Sequence, residues 1–171
     1  KSQRGPSIEI AGIELDADAA QEAGKHLDKV ITGDVETTEL PFSQGYFDCI
    51  VYGDILEHLV DPWALLEKHK KYLKPKGYIV ASIPNIAHYK TVKMLRRYEW
   101  NYEDAGILDR SHLRFFTIKS IRKMFADAGF DIIAVDHAIR ASKMKKRINK
   151  VFKNCLINSI AEQYLVIAQK A

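Results

Sequence analysis

The sequence predicts an α/β fold, a doubly wound sheet that is mostly parallel. Strand-like segments alternate with helical segments of about 10–15 residues along the chain, and no linker divides its 171 residues. The longest apolar run, Tyr164 to Ala168, is far too short to span a membrane. We therefore expect one domain over residues 1–171.

The composition is that of a folded globular protein. Apolar residues make up 47% of the chain and charged residues 28%, which excludes a disordered or fibrous protein. Two cysteines, Cys49 and Cys155, are too few for a disulfide framework and indicate a reducing compartment. We expect a cytoplasmic protein.

The first half of the chain begins with a compact apolar strand over Ile8–Leu15, and a helix with an aspartate cap follows over Asp16–Leu27. Val30-Ile31 predicts a short strand. Phe47–Tyr52 (FDCIVY) is almost entirely apolar, as is typical of a strand buried on both faces of a parallel sheet.

The second half contains two strong helix starts. Asp61-Pro62 places an N-cap before a first-turn proline, and the helical spacing continues to the Lys74–Gly77 break. Tyr78–Ile83 is the next strand. Thr117 caps a helix that ends at Gly129 and has one apolar face: Ile121, Met124, Phe125 and Ala128. Asp131–Ile139 and Tyr164–Gln169 are the last two strands.

Acidic residues follow the first two strands, where ligands bind in doubly wound sheets. Glu14 can accept hydrogen bonds from both hydroxyls of a ribose, and Asp34 can accept one from an exocyclic amine. Taken singly, Glu14 also fits a helix cap, and Gly33-Asp34 also fits an ordinary turn. The third strand ends at Tyr52-Gly53-Asp54.

The order of these segments carries a resemblance. Four segments taken together carry this resemblance: GIELD, GDVE, FDCIVYGDILEHLVDP and LKPKGYIVASIPN. Over residues 8–139 the chain resembles the class I S-adenosylmethionine (SAM)-dependent methyltransferases. The later LDRSHLRFFT is similar to a branch often found beside sugar- and cell-envelope-modifying enzymes. The resemblance implies a Rossmann-like methyltransferase fold, a C-terminal antiparallel hairpin and SAM as the cofactor.

The resemblance also implies cofactor-binding roles for residues at the strand ends. Glu14 would hold the ribose hydroxyls and Leu15 would pack on the adenine. Asp34 would accept from the adenine amine, with Val35 supplying a backbone contact. Tyr52 and Gly53 would lie beside the methionine part.

One element of the family pattern is absent from the sequence. The glycine-rich loop that follows the family's first strand is missing, so we expect the chain to be N-terminally incomplete. Roughly 25 to 40 residues before Lys1 would supply that strand, loop and helix. Without the loop, we expect the chain to bind SAM poorly and to be inactive.

Two histidines are candidates for a catalytic base if the methyl acceptor is a hydroxyl. His88 follows the Pro84-Asn85 strand end, and His112 lies in the DRSHLR loop. Either can also be a structural hydrogen-bonding residue.

A second constellation has the spacing of a metal site. Asp54, Glu57 and His58 share a helical face, and some methyltransferases bind a divalent metal at a similar element. We instead predict no metal, since no fourth ligand is evident, and interpret Glu57-His58 as orienting the loop before Asp61-Pro62.

Further features concern the substrate. Four aromatic residues can wall a substrate pocket or belong to the core: Trp100, Tyr102, Phe115 and Phe116. The irregular stretch Tyr98–Asp109 is a candidate lid or substrate loop.

Positive charge is concentrated near the C-terminus. Seven basic residues and no acidic one lie in Arg140–Lys153, whereas the rest of the chain has 19 basic and 22 acidic residues. The pattern of this segment predicts an amphipathic helix. Its basic face is either exposed to solvent or makes a weak contact with an anionic surface. Nucleic acid is disfavoured because the interleaved aromatics of stacking surfaces are missing.

We therefore predict a SAM-dependent methyltransferase acting on a small molecule or a cell-envelope sugar, at oxygen. A nucleotide-cofactor oxidoreductase is one alternative, because an acidic strand end also serves nicotinamide cofactors. A non-catalytic methyltransferase-like binding domain is the other.

Overall fold

The computed structural model describes residues 8–139 and 156–171, and the chain divides into two compact units, Lys1–Phe42 and Ser43–Ala171. The first unit contains strand β1 (Ala11–Glu14), helix α1 (Ala17–Ala23) and strand β2 (Lys29–Thr32). The two strands are parallel. A single domain over residues 1–171 remains a prediction.

Helix α1 begins where its sequence predicts and ends earlier. Asp16 is the N-cap, and its Oδ1 accepts from the amide of Ala19 at 2.8 Å. The helix stops at Ala23 rather than Leu27, and Leu27 turns back over β1. A Cβ on Gly12 would lie 2.7 Å from Leu27 Cδ1, so a larger residue in β1 would displace the end of the Leu27 side chain.

The second unit is built on a four-stranded sheet. Its elements are β3 (Phe47–Gly53), a 3₁₀ turn (Leu56–His58), α2 (Pro62–Lys70), β4 (Leu73–Pro84), α3 (Tyr89–Leu95), α4 (Ile118–Asp127), β5 (Phe130–Ala138), α5 (Ile157–Ile160) and β6 (Gln163–Lys170). The strand order is β3-β4-β6-β5. β3 and β4 are parallel, while β6 is antiparallel to both β4 and β5, which confirms the α/β fold class and its C-terminal antiparallel pair.

Helix α4 shows how local sequence determines an element. Thr117 and Ser120 form a capping box at its start. Ile121, Met124 and Phe125 are fully buried on the predicted face. Gly129 ends the helix with a φ of 75°, in the left-handed region that favours glycine.

The predicted break after α2 is wrong. The helix ends at Lys70, and Leu73 begins β4 opposite Phe47 instead of extending the helix. The strand passes through Pro75, because the register shifts between Phe47 and Cys49 and a bulge tolerates a residue without an amide proton.

The expectation that Phe47–Tyr52 is buried on both faces is also wrong. Tyr52 is buried, but Val51 is 68% exposed and Cys49 is exposed as well. β3 is the edge strand of the four-stranded sheet and its side chains alternate between an inner and an outer face. No helix in residues 8–139 or 156–171 is long and apolar enough to span a bilayer.

Candidate functional site

Two acidic residues emerge at the carboxyl edge of the first unit's sheet. Glu14, the last residue of β1, is in register with Thr32, the last residue of β2, and Asp34 follows two residues later. The amide of Gly33 donates to the carbonyl of Glu14 at 2.8 Å and joins the two strand ends. The structure therefore brings Glu14 and Asp34 to one edge.

Each carboxylate uses one oxygen to fix its own turn. Glu14 Oε1 accepts from the amide of Asp16 at 3.1 Å, and Asp34 Oδ1 accepts from the amide of Glu36 at 2.8 Å. Within the described ranges, Glu14 Oε2 and Asp34 Oδ2 accept no hydrogen bond. Both acids are thus oriented by the backbone while keeping an oxygen for a ligand donor.

Apolar side chains accompany both acids. Leu15 is 72% exposed directly after Glu14, and Val35 is half-buried directly after Asp34. An exposed leucine beside an oriented carboxylate offers a flat apolar ligand ring a surface to pack on.

The second unit has its own carboxyl edge, at Tyr52 and Gly53. The Tyr52 side chain points inward, where its hydroxyl lies 2.9 Å from Nδ1 of His69 and where burial raises its pKa. Only its main chain can therefore meet a ligand at this edge. Gly53 is exposed, and a Cβ there would meet no atom within 4 Å, so open space lies beside the strand end.

Asp54 follows with a strained backbone, at a φ of 53°. Its Oδ1 accepts from the hydroxyl of Ser82 at 3.0 Å and from the side-chain amide of Gln163. The Asp54 amide in turn donates to Ser82 Oγ at 2.9 Å. Asp54 is therefore committed to the ends of β4 and β6 and is not part of the helical face predicted with Glu57 and His58.

Glu57 and His58 instead meet His112. One ligand atom of each of the three side chains lies within 4.8 Å of the others. The Glu57 and His112 side chains are 1% and 6% exposed, and the His58 and His112 rings are 4.8 Å apart in an edge-to-face arrangement. In this trio, which we call the Glu57 cluster, Glu57 and His112 are buried and His58 is half-buried.

The charge state of Glu57 is set by this burial. Its pKa is raised from the ordinary 4.5 to about 7, mainly by burial and to a smaller extent by the charge of Asp54, against an opposing contribution from the backbone amide of Glu57. Neither carboxylate oxygen accepts a hydrogen bond within the described part of the chain.

Backbone hydrogen bonds hold the DRSHLR loop against the 3₁₀ turn. The amides of Leu113 and Arg114 both donate to the carbonyl of Glu57 at 2.9 Å. The Arg114 guanidinium donates to the carbonyl of Val60 at 3.1 Å from Nε and lies 5.8 Å from the Trp63 ring centroid. These contacts explain why EHLV and HLRFF lie together although more than 50 residues separate them.

His88, the other candidate base, is the N-cap residue of α3 and is 2% exposed. Its amide donates to the carbonyl of Asn85 at 3.2 Å, and its ring packs 4.5 Å from that of Tyr89. Asn85 is itself fully buried, with its side-chain nitrogen donating to the carbonyls of Asn158 and Ala161. A catalytic role for His88 remains a prediction.

The aromatic residues divide into two groups. Phe116 is 2% exposed and belongs to the core, 6.1 Å from Trp63. Trp100 packs edge-on against Phe115 at 5.3 Å, and Phe115 lies 6.4 Å from the ring of His112. The second group therefore borders the Glu57 cluster.

The stretch between Tyr98 and Asp109 contains no helix or strand, as predicted, apart from a bridge between Glu103 and Asp109. Its role as a lid remains a prediction. The basic segment Arg140–Lys153 and Cys155 lie outside the described residues.

Comparison with known proteins identifies a family. A family model described as "Methyltransferase domain" matches residues 2–135. A protein of Streptomyces fradiae, the uncharacterized 37.1 kDa protein of transposon TN4556, is 24% identical over 143 residues, which are 76% of this chain and 38% of the relative. The chain thus spans well under half of that relative's length.

Solved structures agree on the fold. A SAM-dependent methyltransferase from Archaeoglobus fulgidus matches with a TM-score of 0.66 at 18% identity, over 95% of this chain and 76% of its own. A SAM-dependent methyltransferase of Thermotoga maritima, a possible histamine N-methyltransferase, has the same TM-score and identity over 96% and 74%.

Proposed function

The chain belongs to the methyltransferase domain family, and from this we propose that it transfers the methyl group of SAM to an oxygen atom of a small molecule or a cell-envelope sugar. The observation that carries the proposal is the pair of oriented acids, Glu14 and Asp34, at one strand edge of a chain from a SAM-using family. The family match also disfavours the nicotinamide-linked oxidoreductase.

Each carboxyl edge, taken by itself, carries residues that fit one part of the cofactor. We assign Glu14 to the ribose hydroxyls and Asp34 to the adenine amine, because both carboxylates keep an oxygen for these donors. Exposed Leu15 packs on the adenine, and Val35 contributes through its backbone. Tyr52 can take part only through its main chain, while Gly53 borders open space that can receive the methionine part.

The bound cofactor supplies an electrophilic methyl group on a sulfonium. The protein must therefore align the acceptor oxygen in line with the bond that breaks, and take up the acceptor's proton as the carbon–oxygen bond forms. His88 and His112 are the candidate bases. The products are the methyl ether, S-adenosylhomocysteine and a protonated base that releases its proton to solvent.

The LDRSHLRFFT element and the two candidate bases support oxygen as the acceptor. The element places His112 6.4 Å from the ring of Phe115, and aromatic side chains are common in the linings of ligand pockets. An amine acceptor can arrive already deprotonated, whereas a hydroxyl needs a base in the transition state.

The test is methyl transfer by the full-length protein from isotopically labelled SAM to matched panels of nucleotide-activated sugars and of amines, followed by mass spectrometry. We expect label on sugar hydroxyls only. Loss of transfer in His88→Gln or His112→Gln that is recovered at high pH, with SAM affinity retained, would identify the base, because a hydroxyl that ionises in solution needs none. Label on amines alone would contradict the proposal.

A further inference from the structure

The Glu57 cluster contains more hydrogen-bond acceptors than donors. The Nδ1 of His112 lies 3.1 Å from the carbonyl oxygen of Ile107, and the Nδ1 of His58 lies 3.3 Å from that of Ser111. A carbonyl oxygen can only accept, so in the neutral form of each ring Nδ1 carries the proton and Nε2 keeps a lone pair.

For His112, the lone pair faces an acidic side chain. Its Nε2 is 4.0 Å from Glu57 Oε1, with both groups almost completely buried. Two acceptors at this distance do not bind each other, and neither oxygen of Glu57 has a donor among the described residues. Either a metal ion or a proton between the two groups would satisfy both buried acceptors.

We propose that Glu57, His58 and His112 bind a divalent transition-metal ion of the Zn²⁺ class. The inference goes beyond methyl transfer and does not depend on it. It departs from the sequence-based prediction of no metal, because the fold brings His112 to Glu57 in place of Asp54 and so joins two histidines and one carboxylate in one cluster.

The ligand set selects the class of ion. Two imidazole nitrogens and one carboxylate suit Zn²⁺ and its neighbours in the first transition row, whereas Mg²⁺ and Ca²⁺ prefer oxygen ligands alone. The two Nδ1–H to carbonyl contacts are the outer hydrogen bonds that orient ligating histidines. Three protein ligands leave a fourth position of a tetrahedral ion open to an exogenous oxygen.

The dimensions require only a small contraction. Ligands bound at about 2.1 Å to a tetrahedral ion are about 3.4 Å apart. The ligand atoms of the Glu57 cluster lie within 4.8 Å of one another. Side-chain rotations that move these atoms by about 1 Å therefore bring them to the separation that a tetrahedral ion requires. The backbone hydrogen bonds from Leu113 and Arg114 to Glu57 hold the two segments together during this closure.

A metal at this site restricts the role of His112. A histidine that donates its Nε2 lone pair to a metal cannot accept a proton there, so the inference leaves His88 as the candidate base. The competing occupant of the cluster is a proton on Glu57, which would also separate the two acceptors without any metal.

The test uses the full-length protein without a histidine tag, stripped with EDTA and then titrated with Zn²⁺ or Co²⁺. We expect one metal per chain by elemental analysis and the intense visible absorption of Co²⁺ in a low-coordinate site. Glu57→Gln and His112→Gln should each weaken binding by more than about 100-fold, since losing a ligand costs more than losing an outer hydrogen bond.

The matched control is His26→Gln. His26 Nε2 lies 3.9 Å from Glu22 Oε1, a similar separation, but the two side chains are 70% and 63% exposed. This variant should bind metal like the unaltered protein. The proposal would be overturned if the folded, unaltered protein bound neither Zn²⁺ nor Co²⁺, or if Glu57→Gln bound metal as tightly as the unaltered protein. If His112→Gln does not fold, His58→Gln replaces it in the test.

Discussion

Replacing Glu57 by glutamine should change the stability of the metal-free protein in a way that depends on pH. Glu57 is 1% exposed, and its pKa is raised from 4.5 to about 7. A buried carboxyl with a raised pKa favours folding when protonated, so its contribution is fully present below about pH 4.5 and is lost as pH rises through 7.

The magnitude follows from the same two values. Each pKa unit corresponds to about 1.4 kcal/mol, so the rise from 4.5 to about 7 corresponds to at most about 3 kcal/mol. Glutamine does not titrate, and its amide can donate to Nε2 of His112. In EDTA, the free energy of unfolding of the variant relative to the unaltered protein should therefore rise by up to about 3 kcal/mol between pH 5 and pH 8.

The assay is urea unfolding followed by circular dichroism at several pH values, with EDTA present throughout. Glu67→Gln makes the same chemical change at an exposed position of α2 and should show no such trend. A stability difference for Glu57→Gln that is constant from pH 5 to pH 8, or that falls as pH rises, would refute the burial argument.

Three further substitutions test how the sites are held. Asn85→Ala should lower the free energy of unfolding, measured with urea, by about 3 kcal/mol. The reason is that the Asn85 side chain makes three buried or part-buried hydrogen bonds, with Asn158, Ala161 and Ala87. A loss under about 1 kcal/mol would contradict this reasoning. Thr117→Ala should cost about 1 kcal/mol in the same assay through loss of the N-cap of α4, and Thr117→Ser should restore it. Arg114→Ala should weaken Co²⁺ binding without removing a ligand, because the loop carrying His112 loses its contact with Val60, and unchanged affinity would exclude this positioning role.

Features with local causes could be predicted from the sequence. The caps of α1, α2 and α4 lie at Asp16, Asp61 and Thr117, because a side-chain acceptor at a helix start acts on amides within its own turn. Glu14 and Asp34 were identified for a related reason, since parallel neighbouring strands end at the same edge of a sheet.

Features with distant causes could not be predicted. Leu73 has helical spacing with Leu66, but pairing with Phe47 places it in β4. His112 joins Glu57 because backbone amides beyond it bind the Glu57 carbonyl, and no periodicity in the sequence encodes that contact. The histidine-leucine pair that EHLV and SHLRFF share is the signal that could have suggested pairing the two motifs.

SAM binding by the full-length protein tests the central claim most directly. Isothermal titration calorimetry should show one bound SAM, and Glu14→Gln should weaken binding by about 1–3 kcal/mol, about 5- to 150-fold, because the neutral amide is a weaker acceptor for the ribose hydroxyls. Glu22→Gln, on the exposed face of α1, is the matched control and should bind normally. Equal affinity of Glu14→Gln and the unaltered protein would contradict the assignment of this strand edge to the cofactor.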